Sequence, residues 1–159
     1  MKKDKNINFA ELIATFFYSG KSKIAPGTVG SFCSLPLAGV AYALGWEAVL
    51  IVSILVYLLG IWATNEVLKT SKDKDPGFVV IDETAGQVIS FLFVAVVMPF
   101  SWLNLCLGFA LFRLFDIVKI WPCSFFDKKV VGAFGVMSDD VFAGFYAAVL
   151  LLLINIFVL

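Results

Sequence analysis

Four intervals of the chain carry no charged residue: 24–46, 48–65, 84–112 and 141–159, of 23, 18, 29 and 19 residues. A helix needs roughly 20 apolar residues to cross about 30 Å of hydrocarbon. The 29-residue interval is too long for one crossing, and Met98-Pro99-Phe100-Ser101 divides it, because proline and the residue before it disfavour a continuing helix. The pattern therefore predicts five hydrophobic helices, near 29–45, 47–68, 78–98, 101–121 and 139–159, in an all-α, polytopic membrane helical bundle. Pro36 is expected to bend the first of them. Ahead of it, Asn8-Phe9-Ala10-Glu11 has capping-box spacing. Phe9, Leu12, Ile13, Phe16 and Phe17 then recur at helical spacing, which predicts a short amphipathic helix in the membrane interface. A Gly- and Lys-bearing loop, 19–28, joins it to the first span, and no internal repeat is visible.

Composition agrees with the pattern. The chain has 159 residues, 61% hydrophobic and 15% charged, with a mean hydropathy of +0.97. These values fit one membrane-embedded domain over 1–159, with 1–23 as its amphipathic lead, better than a soluble helical protein with a greasy core. Net charge is zero, so nothing points to a nucleic-acid partner. The apolar run after the basic N-terminus is interrupted by Glu11 and lacks a small-residue cleavage site, so no cleaved signal peptide is expected. Cys33, Cys106 and Cys123 are scattered and read as packing residues.

Charge then fixes an expected orientation. Lys2, Lys3, Lys5, Lys21 and Lys23 precede the first span, Lys69, Lys72 and Lys74 follow the second, and Lys119, Lys128 and Lys129 lie at the end of the fourth or after it. The turns around Glu47 and Pro99 carry no basic residue. The N-terminus is expected in the cytoplasm and the C-terminus outside. All twelve basic residues and eleven of twelve acidic ones then share the cytoplasmic side, Glu47 alone lying opposite.

Five of those acids sit at the ends of apolar stretches: Asp82, Glu83, Asp116, Asp139 and Asp140. Taken singly, the last two suit a helix cap, and Asp116 suits a structural pair with Arg113. Taken together, five carboxylates at one end of a small bundle repel one another unless cations sit among them. An all-oxygen set favours a hard cation such as magnesium. Lys21, Lys23, Arg113 and Lys119 are candidate phosphate ligands. Thr28 and Ser31, at the start of the first span, are candidate supports. There is no histidine, no cysteine-phosphatase loop and no Walker loop, so carboxylates with a metal remain as the means of activating water. A small cation transporter or channel, or a structural subunit using its charges for docking, remains open on these grounds.

Three segments carry a family resemblance. The first runs from Gly20-Lys21-Ser22-Lys23 through Ala25-Pro26-Gly27-Thr28 to Gly30-Ser31 and Leu35-Pro36-Leu37. The second is Val80-Ile81-Asp82-Glu83-Thr84-Ala85-Gly86-Gln87. The third holds Arg113, Asp116, Lys119, Trp121-Pro122 and Phe126-Asp127, and continues through Gly135-Val136-Met137 to Ser138-Asp139-Asp140-Val141-Phe142-Ala143-Gly144. In this order the chain resembles the phosphatidylglycerophosphatase A family of bacterial membrane enzymes. It departs from the family pattern at Ile120, where proline is usual, and at Ser138, where a hydrophobic residue is usual. The resemblance implies a magnesium-dependent enzyme of the bacterial cytoplasmic (inner) membrane. It would hydrolyse phosphatidylglycerophosphate to phosphatidylglycerol and inorganic phosphate at a site facing the cytoplasm. The residues it implicates are Asp82, Glu83, Asp116, Asp139 and Asp140 for metal and catalysis, and Lys21, Lys23, Thr28, Ser31, Arg113 and Lys119 for substrate.

Overall fold

The computed structural model describes residues 5–73 and 75–159, with side chains from Phe9 onward. Lys2, Lys3 and Lys74, and the side chains of Lys5 and Asn8, lie outside what is described. The chain is all-α, with no strand among the described residues. Helix α1 (Lys5–Ala14) already contains Asn8, so the helix starts earlier than the capping-box spacing predicts. Gly20 lies on the turn after it because a Cβ there would stand 2.1 Å from the Phe78 carbonyl oxygen. The long helices are α2 (Pro26–Leu44), α3 (Trp46–Leu68), α6 (Trp102–Val118) and α8 (Ala133–Phe157). Of these, α2, α3 and α8 are long and apolar enough to cross a membrane by length and composition. Their outward faces are apolar, as at Ile51, Ile54, Leu55, Leu58 and Leu59 of α3.

Three expected boundaries shift. The third span is not one helix. It is α4 (Ile81–Ile89), a stretch of turns, and a short α5 (Val94–Val97). Ser90 donates its hydroxyl to the Gln87 carbonyl at 2.6 Å, and the bonds Phe91 N–H to Val88 O and Leu92 N–H to Ile89 O tighten the chain to three-residue steps. Helix α6 stops at Val118, and a short α7 (Cys123–Lys129) follows, which hydropathy did not show. Helix α8 starts at Ala133, six residues before the expected start. Its N-cap is Gly132 at φ 92°, a backbone region that favours glycine.

The bundle is built around α4, which packs against α2, α3 and α8 and also touches α6. One core cluster joins Tyr42, Val88, Phe91, Leu105 and Leu151; another joins Val56, Ala63, Ile81, Ala85 and Met137. At the far end of α2 a buried polar clamp replaces apolar packing. Asn155 Nδ2 donates to Asn104 Oδ1 at 2.9 Å, Asn104 Nδ2 donates to Asn155 Oδ1 and to Tyr42 Oη at 3.1 Å each, and Tyr42 donates to the Pro99 carbonyl at 2.7 Å. These bonds tie α2, α6 and α8 together where Asn104 and Asn155 have little access to water. Replacing Asn155 by leucine strands the buried Asn104 amide and is expected to cost about 1–2 kcal/mol, read as a lower thermal midpoint in detergent. An unchanged midpoint would mean that the clamp contributes nothing to stability.

Candidate active site at one end of the bundle

Two glycines bring the carboxylates together. Helices α4 and α8 cross with their backbones in contact. A Cβ on Gly144 would lie 2.2 Å from the Gly86 carbonyl oxygen, and one on Gly86 would lie 2.5 Å from the Asp140 carbonyl oxygen. Asp82 precedes Gly86 by four residues and Asp140 precedes Gly144 by four, so each acid stands one turn from the crossing on its own helix face. Asp82, Glu83 and Asp140 each present a carboxylate oxygen, all within 4.8 Å of one another. Asp139 and Asp140 are the seventh and eighth residues of α8, about 10 Å along it. That depth removes the capping role their position in the sequence suggested. Asp82, Asp116, Asp139 and Asp140 are all buried.

Cations border this cluster on two sides. Arg113 Nη1 lies 2.6 Å from Asp116 Oδ2 and 4.0 Å from Glu83 Oε1, and donates to Ser31 Oγ at 3.2 Å. Ser31 in turn donates to the Gly27 carbonyl at 2.8 Å. A Cβ on Gly27 would stand 2.2 Å from Glu83 Oε1, so a side chain there would push the Glu83 carboxylate aside. The first turn of α2 therefore lies directly against the carboxylates. On the other side, Lys119 Nζ bridges Asp127 Oδ1 at 2.6 Å and Asp139 Oδ2 at 2.7 Å. Lys119 ends α6 in the left-handed region, φ 46°. Burial lowers the pKa of its ammonium, but the hydrogen bonds to Asp127 and Asp139 outweigh that and hold it above the usual lysine value. Burial also pushes the Cys123 thiol up to about 11, which leaves no thiolate nucleophile at that position near neutral pH.

The structure does not gather every candidate. Lys21 lies outside the cluster: its Nζ pairs with Glu11 at 2.8 Å and sits 4.7 Å from the Tyr18 ring centroid. Lys23 is exposed on the loop before α2, and Thr28 is half-buried on the first turn of α2. Two features escaped the sequence reading. Asp127, the counterion of Lys119, stood in a matched segment but belongs to the short α7 that hydropathy did not show. The unusual Ser138 hydroxyl pairs with the Tyr57 hydroxyl at 2.9 Å, which offsets the polarity of a hydroxyl at that buried place.

Among the buried side-chain atoms with no hydrogen-bond partner are Asp82 Oδ1, Glu83 Oε2 and Asp139 Oδ1. Buried carboxylate oxygens left unbonded are costly. Those of Asp82 and Glu83 belong to the three-carboxylate group. The spread of that group is close to twice a hard-cation–oxygen bond of about 2.0–2.6 Å. The cluster thus fits a divalent metal, held by hard oxygen ligands from two helices.

Residues 12–155 match the family described as Phosphatidylglycerophosphatase A. The chain belongs to the phosphatidylglycerophosphatase A family. The Haemophilus influenzae protein named Phosphatidylglycerophosphatase A is 36% identical over 100% of this chain and 96% of its own length. The Escherichia coli protein of the same name is 34% identical over 91% of this chain and 82% of its own. A Bacteroides thetaiotaomicron protein provisionally named phosphatidylinositol-3-phosphatase is 38% identical over 88% of this chain and 89% of its own. No solved structure matches the chain. As a family member the chain is an enzyme, a phosphatase, and its apolar helices make it a membrane protein.

Proposed function

We propose that this family member hydrolyses phosphatidylglycerophosphate to phosphatidylglycerol and inorganic phosphate, with magnesium, at the cytoplasmic face of the inner membrane. The observation that carries the reading is the carboxylate triad of Asp82, Glu83 and Asp140 with Arg113 at its edge, 4.0 Å from Glu83. Asp82, Glu83 and Asp140 would hold the metal, which when bound neutralises phosphoryl charge and lowers the pKa of water. Arg113, steadied by Asp116 and Ser31, presents its guanidinium to the lipid phosphate. The first turn of α2, with Gly27 and Thr28, adds backbone N–H groups at a helix start. Asp139 has one oxygen fixed by Lys119 and one without a partner, so it is placed to orient the attacking water and accept its proton. The water oxygen bonds to phosphorus as its proton passes to Asp139, the bond from phosphorus to the glycerol oxygen breaks, and that oxygen takes a proton from solvent water. Lys21 and Lys23 both line a groove beside Glu11 and Pro26, next to the start of α2. In this reading Asp116 orients Arg113 and makes no contact with the metal.

A soluble phosphate ester would need none of the apolar exterior, whereas a lipid phosphate reaches this site from within the bilayer. The transporter reading is weaker, because the described carboxylates gather at one end and Glu47 alone stands at the start of α3, near the other. The Bacteroides relative keeps a second headgroup in view, a phosphorylated inositol lipid. Purified protein is expected to release phosphate from phosphatidylglycerophosphate at a higher kcat/KM than from phosphatidylinositol 3-phosphate. A chelator should abolish the release and added magnesium restore it. Release that is indifferent to chelation, or faster from the inositol lipid, would sink the reading.

A further inference from the structure

We propose that the groove between α2 and α6 binds an acyl tail of the lipid substrate while its phosphate is held at Arg113; this rests on the lipid-phosphatase reading above. Four outer helices surround α4, and two of the seams between them widen into apolar grooves. The groove between α2 and α6 has a volume of about 600 Å³ and is lined by apolar residues, among them Leu35, Gly39 and Val40 of α2 and Trp102, Leu105 and Cys106 of α6. The other, of about 390 Å³, lies between α3 and α8 and includes Ile54 and Leu58.

What stands at the head of each groove separates them. Over the α2–α6 groove the two helices are joined by the hydrogen bond from Arg113 to Ser31. Ser31 immediately precedes Phe32, the first α2 residue of the groove wall, so the cation offered to a phosphate is tied to α2 next to the groove's upper end. Phe32, on the groove wall, meets Phe109, one turn from Arg113, at 6.2 Å between ring centroids. The α3–α8 groove holds instead the neutral Tyr57–Ser138 pair, and its described lining residues include no cation. Length adds a second argument. From Phe32 to Ala43, both on the groove wall, the helix rises about 16 Å. That is about half of a ~30 Å hydrocarbon core, the reach of one lipid tail. At Gly39 a Cβ would meet Leu105 and Phe100 at 3.6–3.7 Å, the distance of ordinary contact, so α2 and α6 are not jammed together along the groove.

The test fills each groove and varies the tail. Val40→Trp and Cys106→Trp enter the α2–α6 groove from opposite walls, at exposed positions where folding tolerates bulk, and Ile54→Trp enters the other. Phosphate release is measured with dioleoyl and dihexanoyl phosphatidylglycerophosphate in mixed micelles. The first two variants are expected to raise KM for the long-chain lipid about tenfold or more while leaving the short-chain lipid unchanged. Ile54→Trp should behave as the parent. Equal effects on both chain lengths, or a selective loss from Ile54→Trp alone, would overturn the groove assignment and leave the phosphatase reading standing. A parent that hydrolyses neither lipid would overturn the phosphatase reading instead. The groove would then be judged by a lipid phosphate with a photoreactive tail: adducts on 32–43 and 102–106 support it, and adducts confined to α3 overturn it.

Discussion

Asp82→Asn and Asp140→Asn are each expected to lower phosphate release by about a thousandfold while the protein stays folded. A metal site contributes several kcal/mol of transition-state stabilisation, and each 1.36 kcal/mol is a factor of ten in rate. Asparagine matches aspartate in shape, so the buried packing around both positions survives. Stability is expected to move the other way. Asp82 has Glu83, Asp139 and Asp75 among its charged neighbours, and Asp140 has Asp116, Asp82 and Asp139. Without metal these groups repel one another, and removing one charge relieves the strain. In chelator, each variant should therefore unfold at or above the parent's temperature, and the gain in midpoint on adding magnesium should shrink. The paired outcome separates a ligand from a packing residue, because a packing defect lowers stability and activity together. A folded Asp82→Asn protein with full activity would remove the triad from the mechanism.

Hydropathy made the membrane class and the positions of α2 and α3 legible, because an uncharged run of about 20 residues has few other uses. It could not place the break after α4. That break depends on the Ser90 hydroxyl turning onto the Gln87 carbonyl, a local bond invisible to an apolar average. The start of α8 was hidden for the opposite reason. Ala133 to Met137 are apolar and uncharged, yet they form the helix's first turns, and the charge at Asp139-Asp140 was mistaken for a boundary. The site itself was legible as a set of residue types, and less so as an arrangement. Lys21 and Lys23 stood two apart before the same helix, but Glu11, one helix earlier, holds Lys21 away from the carboxylates. Asp127 is not legible as a site residue, because its value lies in Lys119, eight residues back and brought to it by α7. The glycines at 86 and 144 carry no chemistry of their own, and only the helix crossing gives them a role.

That crossing leaves no room for a side chain. Gly144→Ala is expected to destabilise the protein by about 1–3 kcal/mol, the usual cost of overpacking, and Gly144→Leu by more, to the point of poor recovery of folded protein. The atom that a new Cβ meets at 2.2 Å is the Gly86 carbonyl oxygen, part of the α4 backbone, with the Ile89 side chain at 2.4 Å. Neither can rotate out of the way as the end of a long side chain would, so α4 and α8 must separate. Between membrane helices close approach of small residues supplies much of the association energy, and no hydrophobic gain replaces it. Separation also widens the gap between Asp82 and Asp140, so activity should fall even in the alanine variant that still folds. Gly77→Ala provides the comparison: a Cβ there meets nothing within 4 Å, and thermal midpoint and phosphate release should match the parent. If Gly144→Ala also matched the parent in both, backbone contact at Gly144 would not be what assembles the carboxylates.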